Sequence, residues 1–226
     1  MKKVCYVAFM SILVMLNSCR RDDSIVFGPP LNFPIQDTIS PVLTLSCGDT
    51  ITHILNSSFN IPSATANDPQ EGDLSALISI SGNVNQNLAG TYFLRYFVMD
   101  SDSNLSDDTV YVIVANQAEF LGGVYGNIHD TCQVRSPFAY AATVNVSTTT
   151  NGAISINNFG AFGTAISVTA YVSGASINIP SQPLGAIGSL LSASGTINNF
   201  SQGEFYVSYM WTDGVTSEIC ISTYLR

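Results

Sequence analysis

Oxygen-bearing side chains alternate along one short stretch of the chain, Asp100-Ser101-Asp102-Ser103-Asn104. Carboxylate and amide oxygens are the ligands that Ca²⁺ prefers, so Asp100, Asp102 and Asn104 are candidate calcium ligands. The stretch lacks the glycine and the distal glutamate of a helix-loop-helix calcium loop. A plain turn between two strands is the alternative interpretation, and calcium is therefore a hypothesis here.

A second acidic group lies upstream, at Asp68, Glu71 and Asp73. These carboxylates could complete a calcium site with the Asp100 stretch, because Ca²⁺ takes six to eight oxygen ligands from several parts of a chain. That outcome requires the fold to bring the two loops together.

Two histidines, His53 and His129, are the side chains that titrate near neutral pH. Neither lies in a Gly-x-Ser-x-Gly, His-Glu-x-x-His or Cys-His arrangement, so no catalytic triad or zinc site is predicted. The C-terminal half has few acids to supply the carboxylate pair of a glycosidase. We expect no enzymatic activity.

An aromatic strand ends at Trp211, the single tryptophan of the chain. Phe205, Val207, Tyr209 and Trp211 share one face by period two, which predicts core packing for that face. The functional alternative is a platform of Tyr209 and Trp211 on which a sugar ring stacks.

The N-terminus combines Lys2 and Lys3 with an apolar run over residues 4–16. This pattern predicts an export signal over residues 1–18, too short to cross a bilayer as a helix. The segment Leu16-Asn17-Ser18-Cys19 resembles the lipobox of bacterial lipoproteins. The resemblance implies that Cys19 becomes the first residue and carries palmitate-like acyl chains, which would anchor the protein to a membrane.

Three further cysteines, Cys47, Cys132 and Cys220, follow Cys5 and Cys19. An exported chain favours disulfides, and a Cys132–Cys220 bridge would close a loop of roughly 90 residues, worth about 4 to 5 kcal/mol. Two buried free thiols are the alternative. Cys47 is then a lone, small apolar side chain.

The charge balance is acidic, with sixteen Asp and Glu against seven Lys and Arg. No lysine follows Lys3, and the five arginines are scattered. Nucleic acid and anionic lipid surfaces require clustered basic side chains, so neither is an expected partner. Gly28-Pro29-Pro30 and Pro34 predict an extended tether over residues 19–36.

Short runs of alternating polarity predict β-strands between residues 37 and 115. Ser40-Pro41-Val42-Leu43-Thr44-Leu45, Ala89-Gly90-Thr91-Tyr92 and Tyr96-Phe97-Val98-Met99-Asp100 follow one another in the order seen in bacterial immunoglobulin-like repeats of the pesticidal crystal protein type. The segment resembles that family, which implies an immunoglobulin-like β-sandwich that acts as a spacer. In the family a plain hairpin turn occupies the place of the Asp100 stretch.

Residues 116–118 are the predicted linker, and residues 119–226 contain further predicted strands without a helical pattern. The layout resembles the small C-terminal β-domains that follow immunoglobulin-like repeats in lipoproteins of the Bacteroidetes. We expect an all-β chain whose C-terminal domain is an antiparallel β-barrel or β-sandwich.

These features predict a lipid-anchored protein of the outer membrane or cell surface, whose spacer presents a β-rich binding or structural domain. The membrane is its predicted partner through Cys19, with a glycan or an envelope protein as a further partner. One alternative is a glycan-binding surface lipoprotein of a polysaccharide-uptake system. A second alternative is a calcium-dependent adhesin.

Overall fold

The computed structural model describes residues 36–226, and the signal segment, Cys19 and the tether up to residue 35 lie outside the described residues. The first half of the described chain contains seven strands. They are β1 Val42–Leu45, β2 Thr50–Ile54, β3 Ala64–Asp68, β4 Gly72–Asp73, β5 Ser79–Gly82, β6 Gly90–Met99 and β7 Leu105–Ala115.

These strands form two sheets. The smaller has the order β1-β3-β4 and is antiparallel. The larger has the order β2-β7-β6-β5, with β2 parallel to β7 and the other pairs antiparallel. Alternate residues of β6 and β7 point inwards, and Leu94, Tyr96, Val110, Val112 and Val114 form the centre of a shared apolar core. Period-two patterning therefore places one face of each long strand in the core.

Nine strands make up the second half. They are β8 Gly123–Cys132, β9 Phe138–Val146, β10 Ala153–Asn157, β11 Ser167–Ser173, β12 Ser176–Ile179, β13 Gln182–Pro183, β14 Ser189–Asn199, β15 Glu204–Thr212 and β16 Ser217–Tyr224. Short 3₁₀ turns at Ser75–Leu77, Glu119–Leu121, Phe159–Ala161 and Gly185–Ile187 interrupt the strands of the described chain.

The strands of the second half form a single sheet that closes on itself. Its strands follow the order β12-β11-β10-β9-β8-β16-β15-β14, and β12 also pairs with β14 through Ile177↔Gly195 and Ile179↔Ala193. β13 adds two residues beside β14. The result is an antiparallel barrel of eight strands, and not the sandwich that the sequence left open.

The barrel interior is filled by large side chains, as expected for a closed sheet of eight strands. Tyr125, Phe159, Phe205, Tyr209 and Tyr224 are each at most 1% exposed. Phe205 stacks on Tyr224 at 4.3 Å between ring centroids, and Tyr125 meets both rings edge-on. The interior is therefore a packed core rather than a ligand cavity.

The expectation of an all-β chain is confirmed. The sequence patterns do not predict strand β8, because a bulge between Tyr125 and Ile128 breaks its alternation.

Residues 37–226 form one compact unit. Among the described residues, no helix has the length and apolar character needed to cross a membrane.

Candidate functional site

Three buried aspartates meet at one end of the first half of the described chain. Asp37 precedes β1, Asp68 ends β3 and Asp100 follows β6. Their side chains are 4%, 1% and 5% exposed. One carboxylate oxygen from each lies within 4.8 Å of the other two. We call this group the carboxylate cluster.

Hydrogen bonds within two turns orient two members of the cluster. Asp68 Oδ1 accepts the backbone N–H groups of Gln70 at 2.8 Å and Glu71 at 3.0 Å, and Asp37 Oδ1 accepts that of Ile39 at 2.9 Å. Within the described residues, the second oxygen of each, Oδ2, is buried and has no hydrogen-bond partner. Buried carboxylate oxygens normally require a partner.

The third member is held by the loop that follows it. Asn104 donates its backbone N–H to Asp100 Oδ1 and its side-chain amide to Asp100 Oδ2, both at 2.7 Å. Burial raises the pKa of Asp100, but the hydrogen bonds from Asn104 and from the backbone of Asp102 and Ser103 together outweigh burial and hold the pKa below its ordinary value. Asp100 is therefore ionised at neutral pH.

The fold brings the two acidic loops together, since Glu71 Oε1 accepts hydrogen bonds from the backbone and hydroxyl of Ser101. The acidic residues that meet in the structure differ from the predicted calcium ligands. Asp102 is exposed, and its Oδ2 lies 3.4 Å from the backbone nitrogen of Asp37. Asn104 turns its amide N–H towards Asp100 and towards the carbonyl of Asp37 at 3.1 Å. Neither residue belongs to the cluster, and Asp37 takes their place.

Sequence patterns gave no signal for Asp37, because it lies at the border of the predicted tether and more than sixty residues from Asp100. No basic side chain balances the cluster within the described part of the chain. The two ion pairs there join Arg95 to Asp107 and Arg135 to Glu218.

A further buried carboxyl, that of Asp130, lies inside the barrel and is 0% exposed. It accepts hydrogen bonds from the hydroxyls of Tyr209 at 2.7 Å and Ser222 at 3.0 Å. Burial raises the pKa of Asp130, and burial together with the neighbouring carboxyl raises the pKa of Tyr209. Because Tyr209 is 1% exposed, it is a core residue, and its prediction as part of a ligand platform is wrong.

The other predicted platform residue, Trp211, lies half-buried beside Arg135. The Arg135 guanidinium stands 5.4 Å from the ring of Trp211 and 5.2 Å from that of Phe162. Phe162 itself meets Trp211 edge-on at 4.9 Å. Arg135 also pairs with Glu218 at 2.7 Å. Arg135 thus stands over the indole, and Trp211 packs partly buried against the barrel core.

The predicted cysteine pair lies next to this region, on neighbouring strands. Cys132 of β8 and Cys220 of β16 are directly opposite in the sheet and are joined by a disulfide with an S–S distance of 2.04 Å. Asp130 lies within 4.8 Å of both sulfurs, but the disulfide uses them and leaves no thiolate for a metal. Cys47 is a half-buried free thiol that packs against the core around Tyr96.

The two histidines lie in different halves of the described chain. His53 Nε2 is 3.1 Å from the hydroxyl of Ser57, and its ring meets Phe59 edge-on at 5.0 Å. His129 is an exposed residue of β8, opposite Thr223 and Ala139. The structure does not bring them together.

A buried asparagine binds the connection between the two halves to the barrel. Asn116, 2% exposed, donates to the carbonyls of Ser147 and Thr150, each at 2.9 Å. Its Oδ1 accepts the backbone N–H groups of Ala118 at 2.9 Å and Gly152 at 2.8 Å. The predicted linker is thereby bound to the turn between β9 and β10, which covers residues 147–152.

The same turn bonds to loops of the first half. Asn56 accepts from the backbone of Asn151 at 2.8 Å and donates to the carbonyl of Thr149 at 3.2 Å. The carbonyl of Thr148 accepts from the backbone of Ala89 at 2.7 Å. Gly152 has φ +74°, and an added Cβ would lie 2.6 Å from the carbonyl oxygen of Val172. We call this set of contacts the joint.

An open groove of about 560 Å³ runs beside the joint. It is lined by residues 89–91, 113–115 and 144–148 together with Glu119 and Gly122. Its lining combines aliphatic side chains with Thr91, Asn145, Ser147 and Thr148, and Glu119 is the single ionisable residue of that lining.

Two exposed aromatic residues lie on the larger sheet of the first half, whereas the barrel strand that the sequence indicated, β15, exposes Tyr206. Phe93 and Tyr111 are cross-strand neighbours and are 56% and 48% exposed. Their outward positions follow from the alternation of β6 and β7, in which the flanking residues Leu94 and Val110 point into the core.

The two facing sheets and the closed barrel define an all-β protein with an immunoglobulin-like module. Residues 43–114 match the family model of the bacterial surface protein, Ig-like domain. The specific repeat type and a family for the C-terminal half are not identified by this match. Comparison with curated proteins found no match.

Solved structures give weak likenesses along the chain. A lipoprotein from Bacteroides thetaiotaomicron is 17% identical, with 81% of this chain and 99% of that chain covered and a TM-score of 0.37. A Bacteroides fragilis protein described as an outer membrane protein is 11% identical, with coverages of 83% and 97% and a TM-score of 0.35.

A third likeness is to the CBM51-2 and INT domains of ZmpB from Clostridium perfringens, solved in complex with GlcNAc. It is 14% identical, covers 82% of this chain and 44% of that chain, and has a TM-score of 0.29. TM-scores below 0.5 support no functional conclusion.

Proposed function

We propose that this chain is a lipid-anchored, non-enzymatic protein of the bacterial cell envelope. In this proposal the immunoglobulin-like module is a spacer that holds the barrel away from the membrane. The match of residues 43–114 to a bacterial surface module supports the location. The lipobox-like sequence before Cys19 supports the anchor.

The observation that carries the proposal is the joint. Four hydrogen bonds fix the buried side chain of Asn116 to Ala118 and to the turn between β9 and β10, and the same turn bonds to Asn56 and Ala89 of the first half. A buried polar group with all its partners satisfied resists movement, because each broken bond leaves a desolvated group. The two halves therefore behave as one rigid body suited to hold a domain at a fixed distance.

The direction of the long strands supports the same arrangement. β6 begins beside the joint, where Ala89 bonds to Thr148, and ends ten residues later at Asp100 and the carboxylate cluster. Ten residues of strand span about 33 Å. Asp37, the first residue of the module after the tether, lies at the far end from the barrel. Asp37 and the barrel are thus at opposite ends of the immunoglobulin-like module.

The absence of enzymatic activity is also part of the proposal. His53 and His129 are in different halves, and the buried Asp130 is enclosed by the barrel core. A general base must reach its substrate at about 3 Å, which none of these groups offers from a shared cleft.

Protease accessibility on intact cells tests the proposal. Cells that express the full-length protein are treated with a non-permeant protease before and after lysis, beside cells that express Cys19→Ala. We expect the wild type in the membrane fraction and the mutant released from it. A Cys19→Ala protein that stays in the membrane contradicts lipid anchoring. Digestion before lysis places the barrel outside the cell, and protection until lysis contradicts a surface location.

A further inference from the structure

We infer that the carboxylate cluster is a calcium site formed by Asp37, Asp68 and Asp100. The site differs from the run of oxygen ligands within the Asp100 loop, because its ligands come from three separate segments of the chain. It also does not depend on where the protein is anchored.

Burial and the close approach of three carboxyl groups favour a cation at this place. Three carboxylates lie within 4.8 Å of one another and are at least 95% buried. Burial of one unpaired carboxylate is already costly, and like charges at this distance repel one another. Asp37 Oδ2 and Asp68 Oδ2, which within the described chain have no hydrogen-bond partner, are the two oxygens left to meet such a cation.

The spacing of the oxygens fits one shared ion. Ca²⁺ binds oxygen at 2.3–2.6 Å, so two ligands of the same ion are at most about 5 Å apart. The three oxygens satisfy this condition with separations of 4.8 Å or less. The turn bonds at Ile39, Gln70 and Glu71 occupy only the Oδ1 atoms of Asp37 and Asp68 and fix their carboxylates in place.

The ligand chemistry selects calcium among the common divalent ions. Three carboxylates without a thiolate or imidazole do not suit Zn²⁺, which prefers sulfur and nitrogen. Mg²⁺ keeps several waters in a strict octahedron, and a cluster this deeply buried has little room for them. Ca²⁺ accepts flexible geometry and bidentate carboxylates.

A calcium ion at this place would connect three elements. Asp37 belongs to the segment that enters the module, Asp68 to the smaller sheet and Asp100 to the larger sheet. The ion would therefore tie both sheets and the entering segment together at the end of the spacer opposite the joint. Calcium would stabilise the part of the module that bears any pull on the tether.

The test uses the full chain, purified in mild detergent and stripped with EDTA. We expect about one Ca²⁺ per chain by equilibrium dialysis with ⁴⁵Ca. For a dissociation constant on the order of 10⁻⁴ M, about 2 mM CaCl₂ should raise the Tm by about 5 °C. The same concentration of MgCl₂ should give a smaller shift. An unchanged Tm together with no bound calcium overturns the inference.

Variants identify the ligands. Asp37→Asn and Asp68→Asn keep the Oδ1 acceptors of their turns and should lower calcium affinity at least tenfold. Asp73→Asn, which changes an exposed acid of β4, should bind calcium as the wild type does, and so should Asp102→Asn. A loss of binding in Asp102→Asn with retention in Asp37→Asn would assign calcium to the Asp100 loop alone and overturn the three-segment site.

The melting temperature in EDTA shows whether a variant still folds. Removal of a buried charge relieves repulsion, so Asp68→Asn in EDTA should melt no lower than the wild type in EDTA. If Asp68→Asn is unfolded, binding stoichiometry in the wild type and the affinity of Asp37→Asn decide the question.

Discussion

Asp130 is an acid enclosed in the barrel core, and its surroundings change its pKa. Two hydroxyls, from Tyr209 and Ser222, donate to its two oxygens and favour the ionised form. Burial has the larger effect and raises its pKa. A group that binds its proton more tightly in the folded state makes folding depend on pH.

We predict that Asp130→Asn removes a loss of stability that the wild type undergoes as the pH rises above about 4. For a carboxyl with a raised folded-state pKa, the free energy of unfolding falls as pH rises from the unfolded pKa, near 3.9, to the folded value, and is level above it. The variant should lack this fall, so its stability relative to the wild type should increase with pH. Urea denaturation between pH 4 and pH 8 measures the difference. A difference that does not change with pH contradicts the prediction.

Strand alternation at the sequence level predicts which residues share a face but not what covers that face. Phe205, Val207 and Tyr209 are on one face as expected, and all three are buried. The hydroxyl of Tyr209 meets Asp130 from another strand, 79 residues away. No local pattern contains that contact, which is why Tyr209 resembled a platform residue. Asp37 was missed for the same reason.

Among the elements, sequence reasoning was most reliable where alternation is regular. The period-two pattern over residues 91–98 predicts β6 to within one residue at each end, whereas the pattern over residues 109–114 predicts only the second half of β7. β3 is rich in small polar residues, and the bulge of β8 puts Tyr125 and Ile128, three residues apart, on the same side. Both strands are fixed by pairing with distant partners, and their own sequences carry little β signal.

The disulfide acts at the scale of neighbouring strands. It links β8 to β16, the first and last strands of the barrel, and closes a loop with a sequence separation of 88 residues. We predict that the double change Cys132→Ala and Cys220→Ala lowers the free energy of unfolding by about 4 kcal/mol, because the unfolded chain regains the entropy of that loop.

Urea denaturation followed by the fluorescence of Trp211 measures this loss within the barrel. Cys47→Ala is the matched control, since it removes a thiol that forms no bridge among the described residues. The control should unfold at the same urea concentration as the wild type when it is followed by Trp211 fluorescence. A double variant as stable as the control would contradict the prediction.

For the whole molecule, the joint predicts that the two halves unfold together. Asn116→Ala removes two donated and two accepted hydrogen bonds from a buried site and leaves their backbone partners unsatisfied. We expect it to cost about 3 kcal/mol of coupling between the halves and to split one unfolding transition into two.

Circular dichroism reports the whole chain, and Trp211 fluorescence reports the barrel. The two curves should coincide in the wild type and separate in Asn116→Ala. Asn127→Ala, which removes an exposed asparagine of β8 outside the joint, should behave as the wild type does. Separate curves in the wild type would show that the connection is flexible.

The pairing of β12 with β14 closes the barrel sheet, which matters where many copies stand on one surface. A sheet without margins offers no row of free backbone groups to a neighbouring molecule. The immunoglobulin-like module, in contrast, has marginal strands at β1, β4, β2 and β5. Where many copies stand side by side, strand-to-strand association is therefore confined to the spacers, and the barrels remain separate.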